Sequence, residues 1–262
     1  MAKAAEQGDG DNAAPKAQRG IQSVEVGGRF LRALADVRSP MTLAELAEAA
    51  GLAPAQAHAY LVSFTRLGLV KRDHLSGRFE PGPLALQLGM LHLDNDPAYR
   101  AAVPRVAALA EATGFSVAIS LAGPHGPTIV RYEPGSAPLH VNLHVGSVMS
   151  LTATATGRTF CAFAPEASWL PLWAQQSATP PDRAALDAIR TRGIERSIDA
   201  PSPAVSSLAV PVLASGVLRL VLTVVGSTGA IDVAWDGPVA RALIATARDI
   251  GAEVDASRRD PA

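Results

Sequence analysis

Four apolar residues, Val26, Phe30, Leu34 and Val37, recur at intervals of three and four. That spacing draws one face of an α-helix. Ser23 is placed to cap it, Glu25 falls in its first turn, and Ser39-Pro40 closes it. Gly27 and Gly28 each cost this helix about 1 kcal/mol relative to alanine, which points to close approach by another backbone. Thr42-Leu43-Ala44-Glu45 forms a capping box, in which the threonine oxygen accepts from the third helical N–H and the glutamate reaches back. Leu43, Leu46, Ala47 and Ala50 then make a buried side before Gly51 stops the helix. A third helix opens with Pro54 in its first turn. It turns Ala57, Tyr60, Leu61 and Phe64 inward, and Ala55, Gln56 and Ala59 outward. Gly68 ends it, and residues 69–72 and 78–80 read as two short strands around a turn at 74–77.

Beyond this the pattern changes. Residues 84–93 are an apolar helical stretch that reads as a linker, and Asp96-Pro97 caps a helix running to Thr113 with Gly114 as its stop. Phe115, Val117, Ile119 and Leu121 alternate with small residues, the mark of a half-buried strand. Residues 128–133 predict a second strand, and the alternation of Leu139, Val141, Leu143 and Val145 a third. Pro181-Asp182 opens a helix that ends at Gly193. Residues 208–213 and 217–225 make a hairpin, and Pro238 starts a final helix with Val239, Leu243, Ala247, Ile250 and Val254 on one side. The order predicts an α+β chain whose second part is a mostly antiparallel sheet with helices packed on it. Residues 1–19 show no period and read as a disordered tail.

Composition narrows the classes. With 48% hydrophobic and 18% charged residues in 262, most of the chain can bury a core. A formal net charge of −1 argues against a surface that grips nucleic acid everywhere, so any DNA contact must be local. One cysteine, Cys161, excludes an intrachain disulfide or a cysteine-cluster zinc site and fits a cytoplasmic location. The most apolar stretch, 208–225, is broken by Pro211, Gly216 and Arg219 and falls short of a membrane span, which needs about 20 apolar residues.

Two short helices joined at a glycine, the second with small residues on its outer N-terminal face, make a helix-turn-helix. The following hairpin is a wing whose Lys71, Arg72 and Arg78 would reach phosphates beside the groove. Packing of this kind also occurs in domains that never meet DNA, and residues 20–90 carry seven Lys/Arg against six Asp/Glu.

Residues 23–89 resemble the IclR family of bacterial regulators, through SVEVGGRFLRAL at 23–34, TLAELAEAAGLAPAQAHAYLVSFTRLGLVKR at 42–72 and GRFEPGPLALQLG at 77–89. LTATATGRTFCAF at 151–163, SLAVPV at 207–212 and LRLVLTVVG at 218–226 extend the resemblance into the second part. It implies a winged helix-turn-helix (20–83), a linker helix (84–96) and a GAF-like α/β effector-binding domain (97–258). It also implies a homodimer or homotetramer that binds a double-stranded DNA operator and answers to a small organic acid, with no cofactor and no catalysis. The candidate DNA contacts are Thr42, Pro54, Ala55, Gln56, His58, Ala59, Lys71, Arg72 and Arg78. The chain departs from the family where a Ser/Thr pair and a later arginine are usual: Ala55, Gln56 and Ala59 stand there. Gln56 can still pair with adenine through its amide, and His58 can donate to a base or a phosphate.

No phosphate loop, dinucleotide fingerprint or GxSxG elbow is present. His140, Asn142 and His144 form the best metal candidate. On a strand the two histidines would stand about 13 Å apart, too far for one ion. Cys161, within Phe160-Cys161-Ala162-Phe163, reads as a buried small hydrophobe. A pocket has better support. Thr152, Thr154 and Thr156 precede Gly157 where a loop meets a helix, and the free N–H groups there suit a carboxylate, although capping of the helix explains the threonines equally well. The resemblance puts effector contacts on Met149, Ala155, Thr156, Ser207, Thr223 and Val225. Valine at the last position, often serine in the family, makes the cavity more apolar and suits an aromatic acid. Ser197 and Asp199 fall in a loop expected to cover it. A ligand sensor of the same fold without DNA binding and a small-molecule enzyme are the competing readings.

Overall fold

The computed structural model describes residues 20–139, 141–177, 179 and 181–259. The tail at 1–19 and His140 lie outside the described residues. The chain divides into two compact units, one ending at Leu91 and the other starting at His92.

The first unit holds α1 (Gln22–Val37), α2 (Leu43–Ala50) and α3 (Pro54–Leu67), then the antiparallel pair β1 (Val70–Arg72) and β2 (Phe79–Pro81). Its core gathers Phe30, Leu34, Met41, Leu46, Ala47, Leu61 and Val70. The Phe30, Tyr60 and Phe64 rings pack together with centroids 5.7–6.4 Å apart. The capping box at Thr42 is present, with Thr42 Oγ1 accepting from Glu45 N at 3.2 Å and Glu45 Oε2 from Thr42 N at 2.6 Å. Two expectations change. The cap residue of α1 is Ile21, without a side-chain bond, so Ser23 lies inside the helix; the helix begins one turn earlier than its apolar face requires. Gly27 makes room for side chains, since a Cβ there would lie 2.8 Å from Phe64 Cζ, whereas a Cβ on Gly28 would meet open space.

The linker stretch forms α4 (Pro83–Asp94), within which the boundary between the units falls. Every residue of α4 is at least partly exposed.

The second unit follows with α5 (Pro97–Thr113), capped by Asp96, then β3 (Ser116–Gly123) and β4 (Gly126–Glu133). α6 (Ala155–Phe163), α7 (Glu166–Gln176) and α8 (Arg183–Arg192) precede β5 (Glu195–Ser197), β6 (Val205–Ala214), β7 (Val217–Ser227) and α9 (Pro238–Arg259). The strands form one antiparallel sheet in the order β4-β3-β7-β6-β5. One face, with Val117, Ile119, Leu208, Leu222 and Val224, packs on α5 and α9. The other face, with Ala209 and Val221, packs on α6, α7 and α8 through Phe160, Trp169, Leu186 and Ile189. β3 is therefore buried on both sides, not one, because helices cover both faces of the sheet.

Among the described residues of the strand expected at 139–145, which are 139 and 141–145, none is in a strand. Alternation supplies a face but no ladder partner. The outer edge of β4 is taken instead by 146–149, where Gly146 N donates to Ile129 O at 2.7 Å and Met149 N to Pro127 O at 2.8 Å. The expected spacing of His140 from His144 rests on a residue outside the described ones; His144 Nδ1 lies 3.3 Å from Ser147 Oγ. α7 and β5 have no counterpart in the sequence pattern: α7 carries a mid-helix proline, Pro171, and buries only Trp169, while β5 is three residues long.

Candidate functional site

In the first unit the packing of α2 against α3 decides which side of α3 meets solvent. Ala57 and Leu61 are 0% and 1% exposed, which anchors the inner face. Pro54, Ala55, Gln56, His58 and Ala59 are all exposed as a consequence. The helix thus presents one hydrogen-bonding amide and one imidazole over a small, flat surface.

The three wing cations are at the surface, but each is already engaged. Lys71 Nζ is 3.0 Å from Glu80, its partner across the β1–β2 ladder. Arg72 donates from Nε to Gly77 O at 2.9 Å and lies 5.6 Å from the Phe79 ring centre. Arg78 donates from Nη1 to Pro40 O at 2.9 Å and to Glu45 at 3.0 Å. Arg78 therefore stands at the N-terminus of α2, beside Thr42. The bonds from the backbone N–H and the hydroxyl of Thr42, and then Arg78, hold the Glu45 carboxyl below its ordinary range.

In the second unit the candidates gather at the start of α6, on the sheet face that α6 covers. Gly157 lets the 150–151 backbone lie against α6: a Cβ there would lie 2.0 Å from Ser150 O. Thr154 is the cap residue, accepting from Gly157 N at 2.9 Å and donating to Ser150 O at 2.7 Å. The capping role expected as the plain alternative thus holds for Thr154. Thr152 Oγ1 lies 3.2 Å from Ser150 Oγ. Thr156 differs. It is 2% exposed, and its Oγ1 lies 2.8 Å from that of Thr223, itself 3% exposed. Ser207 pairs with Val225 in the β6–β7 ladder, one alternation from the Ala209–Thr223 pair, so these side chains share a face. Ala155 is buried in the apolar cluster that includes Leu151, Phe160, Ala209 and Val221.

Met149 is held elsewhere. Its tie to Pro127 sets it at the outer edge of β4, level with Ala122 of β3. Thr223 pairs instead with Ala118 on the far side of β3. Ser197 belongs to β5 and donates to Ala200 O at 2.9 Å. Asp199 accepts from Ala204 N at 3.1 Å, so both organise their own turn.

Two features were not drawn from the sequence. Ser116 and Ser120 add hydroxyls to the same sheet face, and the small residues that alternate with the β3 valine and isoleucine were their signal. Arg158 ties α6 to β5 by donating to Glu195 at 3.1 Å, Thr152 O at 3.0 Å and Arg196 O at 2.9 Å. Glu195 also takes Arg192 at 3.0 Å. Arg192 and Arg196 in turn lie 3.9 and 4.3 Å from the Trp235 ring centre. No local pattern links such distant residues. Cys161 is buried, and desolvation pushes its thiol up to about 12, which keeps it protonated and unreactive.

Comparison with known proteins sets this geometry in a family. The IclR helix-turn-helix domain matches residues 23–74, and the bacterial transcriptional regulator IclR C-terminal domain matches 90–252. A glycerol operon regulatory protein of Streptomyces coelicolor is 30% identical over 240 residues, 88% of this chain and 94% of that protein. HmgR of Pseudomonas aeruginosa shares 30% identity with a TM-score of 0.58, over 90% of this chain and 98% of that one. An IclR homologue from Microbacterium hydrocarbonoxydans, solved with 4-hydroxybenzoate, has the same fold at 17% identity and a TM-score of 0.69, over 89% and 99% of the two chains. With a helix-turn-helix unit and an α/β effector unit matched in order along its length, this chain belongs to the IclR family of bacterial transcriptional regulators.

Proposed function

We propose that this regulator reads a double-stranded DNA operator with the outer face of α3, and that a small organic acid bound beside α6 modulates that binding. The observation that carries the DNA contact is the division of α3, with Ala57 and Leu61 sealed in the core while Gln56 and His58 stand in solvent. The Gln56 amide suits adenine, and His58 suits a base edge or a phosphate. Thr42, Lys71, Arg72 and Arg78 flank the groove. Because the three cations already have intramolecular partners, phosphates must compete with Glu80, Gly77 O and Glu45 for them. Exposed pairs of this kind are worth at most about 1 kcal/mol, so the exchange costs little.

The acid is placed against Thr156, Thr223 and Ser207, where the Thr156–Thr223 bond opens to give two hydroxyls to a carboxylate. Val225 and Ala155 make the rest of the wall apolar, which favours an aromatic acid, as does the relative solved with 4-hydroxybenzoate. Assembly as a homodimer or homotetramer is supported by exposed apolar positions within the first unit. Ile21, the cap residue of α1, and Val24 within it are 69% and 67% exposed, and Leu86, Leu88 and Met90 on α4 are each more than half exposed. Binding an operator places the protein in the cytoplasm.

Titration of the full chain against genomic fragments and random duplex, at several salt concentrations, tests the reading. Site-selective binding whose affinity falls steeply with salt is expected, since each phosphate contact adds a log–log slope of about −0.9. Equal affinity for random duplex would instead favour a ligand sensor without operator recognition, which Ala55 and Ala59 make the second reading. A screen of aromatic and aliphatic carboxylates by thermal shift identifies the acid, because a bound ligand raises apparent stability.

A further inference from the structure

The β3–β7 ladder stops at Ser120 and Val221, although β3 runs on to Gly123 and β7 starts at Val217. Where the strands no longer pair, near the C-terminal end of α6, lies a cavity of about 170 Å³. Phe160, Ala164, Leu218 and Val221 are among the apolar residues that wall it, and Ser120, Ser168 and Arg219 are the polar ones, with the Ser168 hydroxyl already donating to Pro165 O.

Two observations separate this space from an ordinary packing gap. Ser120 is 1% exposed, and its Oγ has no hydrogen-bond partner among the described residues. Arg219 Nε is also buried without a hydrogen-bond partner among them, and its guanidinium approaches Asp96 only to 3.9 Å. Buried polar side-chain atoms nearly always have partners, and such groups call for an explanation such as a bound molecule. Here two fall on one cavity. Arg219 is moreover the extra residue of a bulge, since Leu213 pairs with Leu218 and Val212 with Leu220. Bulges re-aim side chains and recur beside functional sites.

We propose that this cavity is a second small-molecule site, distinct from the Thr156–Thr223 pocket, for a neutral ring-sized molecule bearing one oxygen. An apolar cavity of roughly 150 Å³ holds a benzene ring, which sets the size. The oxygen accepts from the Ser120 hydroxyl and from Arg219 Nε. Neutrality follows from the surroundings. Asp96 offsets the arginine charge, and the carbonyls at the end of α6 disfavour an anion. Ala164 follows Thr156 by about two helical turns, roughly 12 Å along α6, so the two sites can be filled independently.

Phenol is the probe. Titrated into the full chain, it is expected to produce a saturable shift of the Trp169 indole N–H resonance, because Trp169 packs in one cluster with Phe160 and Val221. Ser120→Ala, which removes only the unpartnered hydroxyl, should weaken phenol about five- to tenfold, the worth of one hydrogen bond. Ala164→Leu should abolish binding by filling the space, and a phenol-soaked crystal should show the ring between Phe160 and Val221 whether or not that variant folds. Thr223→Val should leave phenol affinity unchanged while impairing the acid pocket. Absence of a saturable shift, loss of phenol binding in Thr223→Val with none in Ser120→Ala, or tighter binding of benzoate than of phenol in this cavity would each overturn the proposal.

Discussion

Thr156 on α6 and Thr223 on β7 share a hydrogen bond of 2.8 Å between two hydroxyls that are each no more than 3% exposed. Each satisfies the other, and the pair fastens the start of α6 to the centre of the sheet. Removing one partner leaves a buried hydroxyl alone, which costs about 1–3 kcal/mol, whereas removing both with apolar groups of the same shape is close to neutral. Thr156→Val and Thr223→Val are therefore each expected to lower unfolding free energy, and the double variant to lose less than their sum. Urea denaturation of the four proteins gives the coupling.

The proposed DNA face makes two separable predictions. Gln56→Ala should cost about 1–3 kcal/mol on the operator and relax discrimination at one base pair. Lys71→Ala and Arg72→Ala should weaken all duplexes alike and each reduce the salt slope by about 0.9. Fluorescence anisotropy over a range of salt distinguishes a base contact from a phosphate contact.

Glu45 supplies a pH signature. Its carboxyl is held below the ordinary value of 4.5 by Thr42 first and Arg78 after it. A group depressed on folding contributes stability above its unfolded pKa and loses that contribution as the pH falls through the folded one. The urea midpoint should therefore decline more between pH 5 and pH 3 in the natural protein than in Glu45→Gln. Equal declines would show that ionisation of Glu45 adds nothing to stability.

Thr42→Ala removes the cap itself and should cost about 0.5–2 kcal/mol. Circular dichroism on heating would show the loss. Because Arg78 is fixed beside that cap, the same substitution should also weaken DNA binding.

Cys161, with its thiol pushed up to about 12 and its side chain buried, should resist aromatic disulfide reagents at pH 8 in the folded protein. In urea it should react at the rate of a free thiol. Rapid reaction of the folded chain would mean that α6 opens readily from the sheet.

Local chemistry in the chain was legible. Thr42 with Glu45, Pro54, Gly68, Asp96 with Gly114, and Pro238 announced helix ends, because caps and stops act within three or four residues. The outward placement of Gln56 and His58 followed from the inward placement of Ala57 and Leu61. The alternation at 139–145 misled, since it recorded apolar side chains without recording that β4 would find its neighbour at 146–149. On one sheet face Thr156 bonds Thr223, with Ser207 and Val225 paired one alternation away, while Met149 is tied to the β4 edge through its backbone.

By itself the sequence determined elements whose causes are local: α2, α3, α5 and α8 with their start and stop residues, the small exposed face of α3, and the hairpin of the wing. It also carried the family resemblance from end to end. Only the tertiary structure decided which partners distant groups acquire. The Glu45–Arg78 pair joins residues 33 apart in the chain, Arg158 and Glu195 are 37 apart, and Thr156 and Thr223 are 67 apart. The unpaired end of β3 and β7, with Ser120 and Arg219 left beside a cavity, belongs to the same class. A hydrogen bond depends on tenths of an ångström between atoms that chain order does not relate, so it is settled when the sheet and its helices pack.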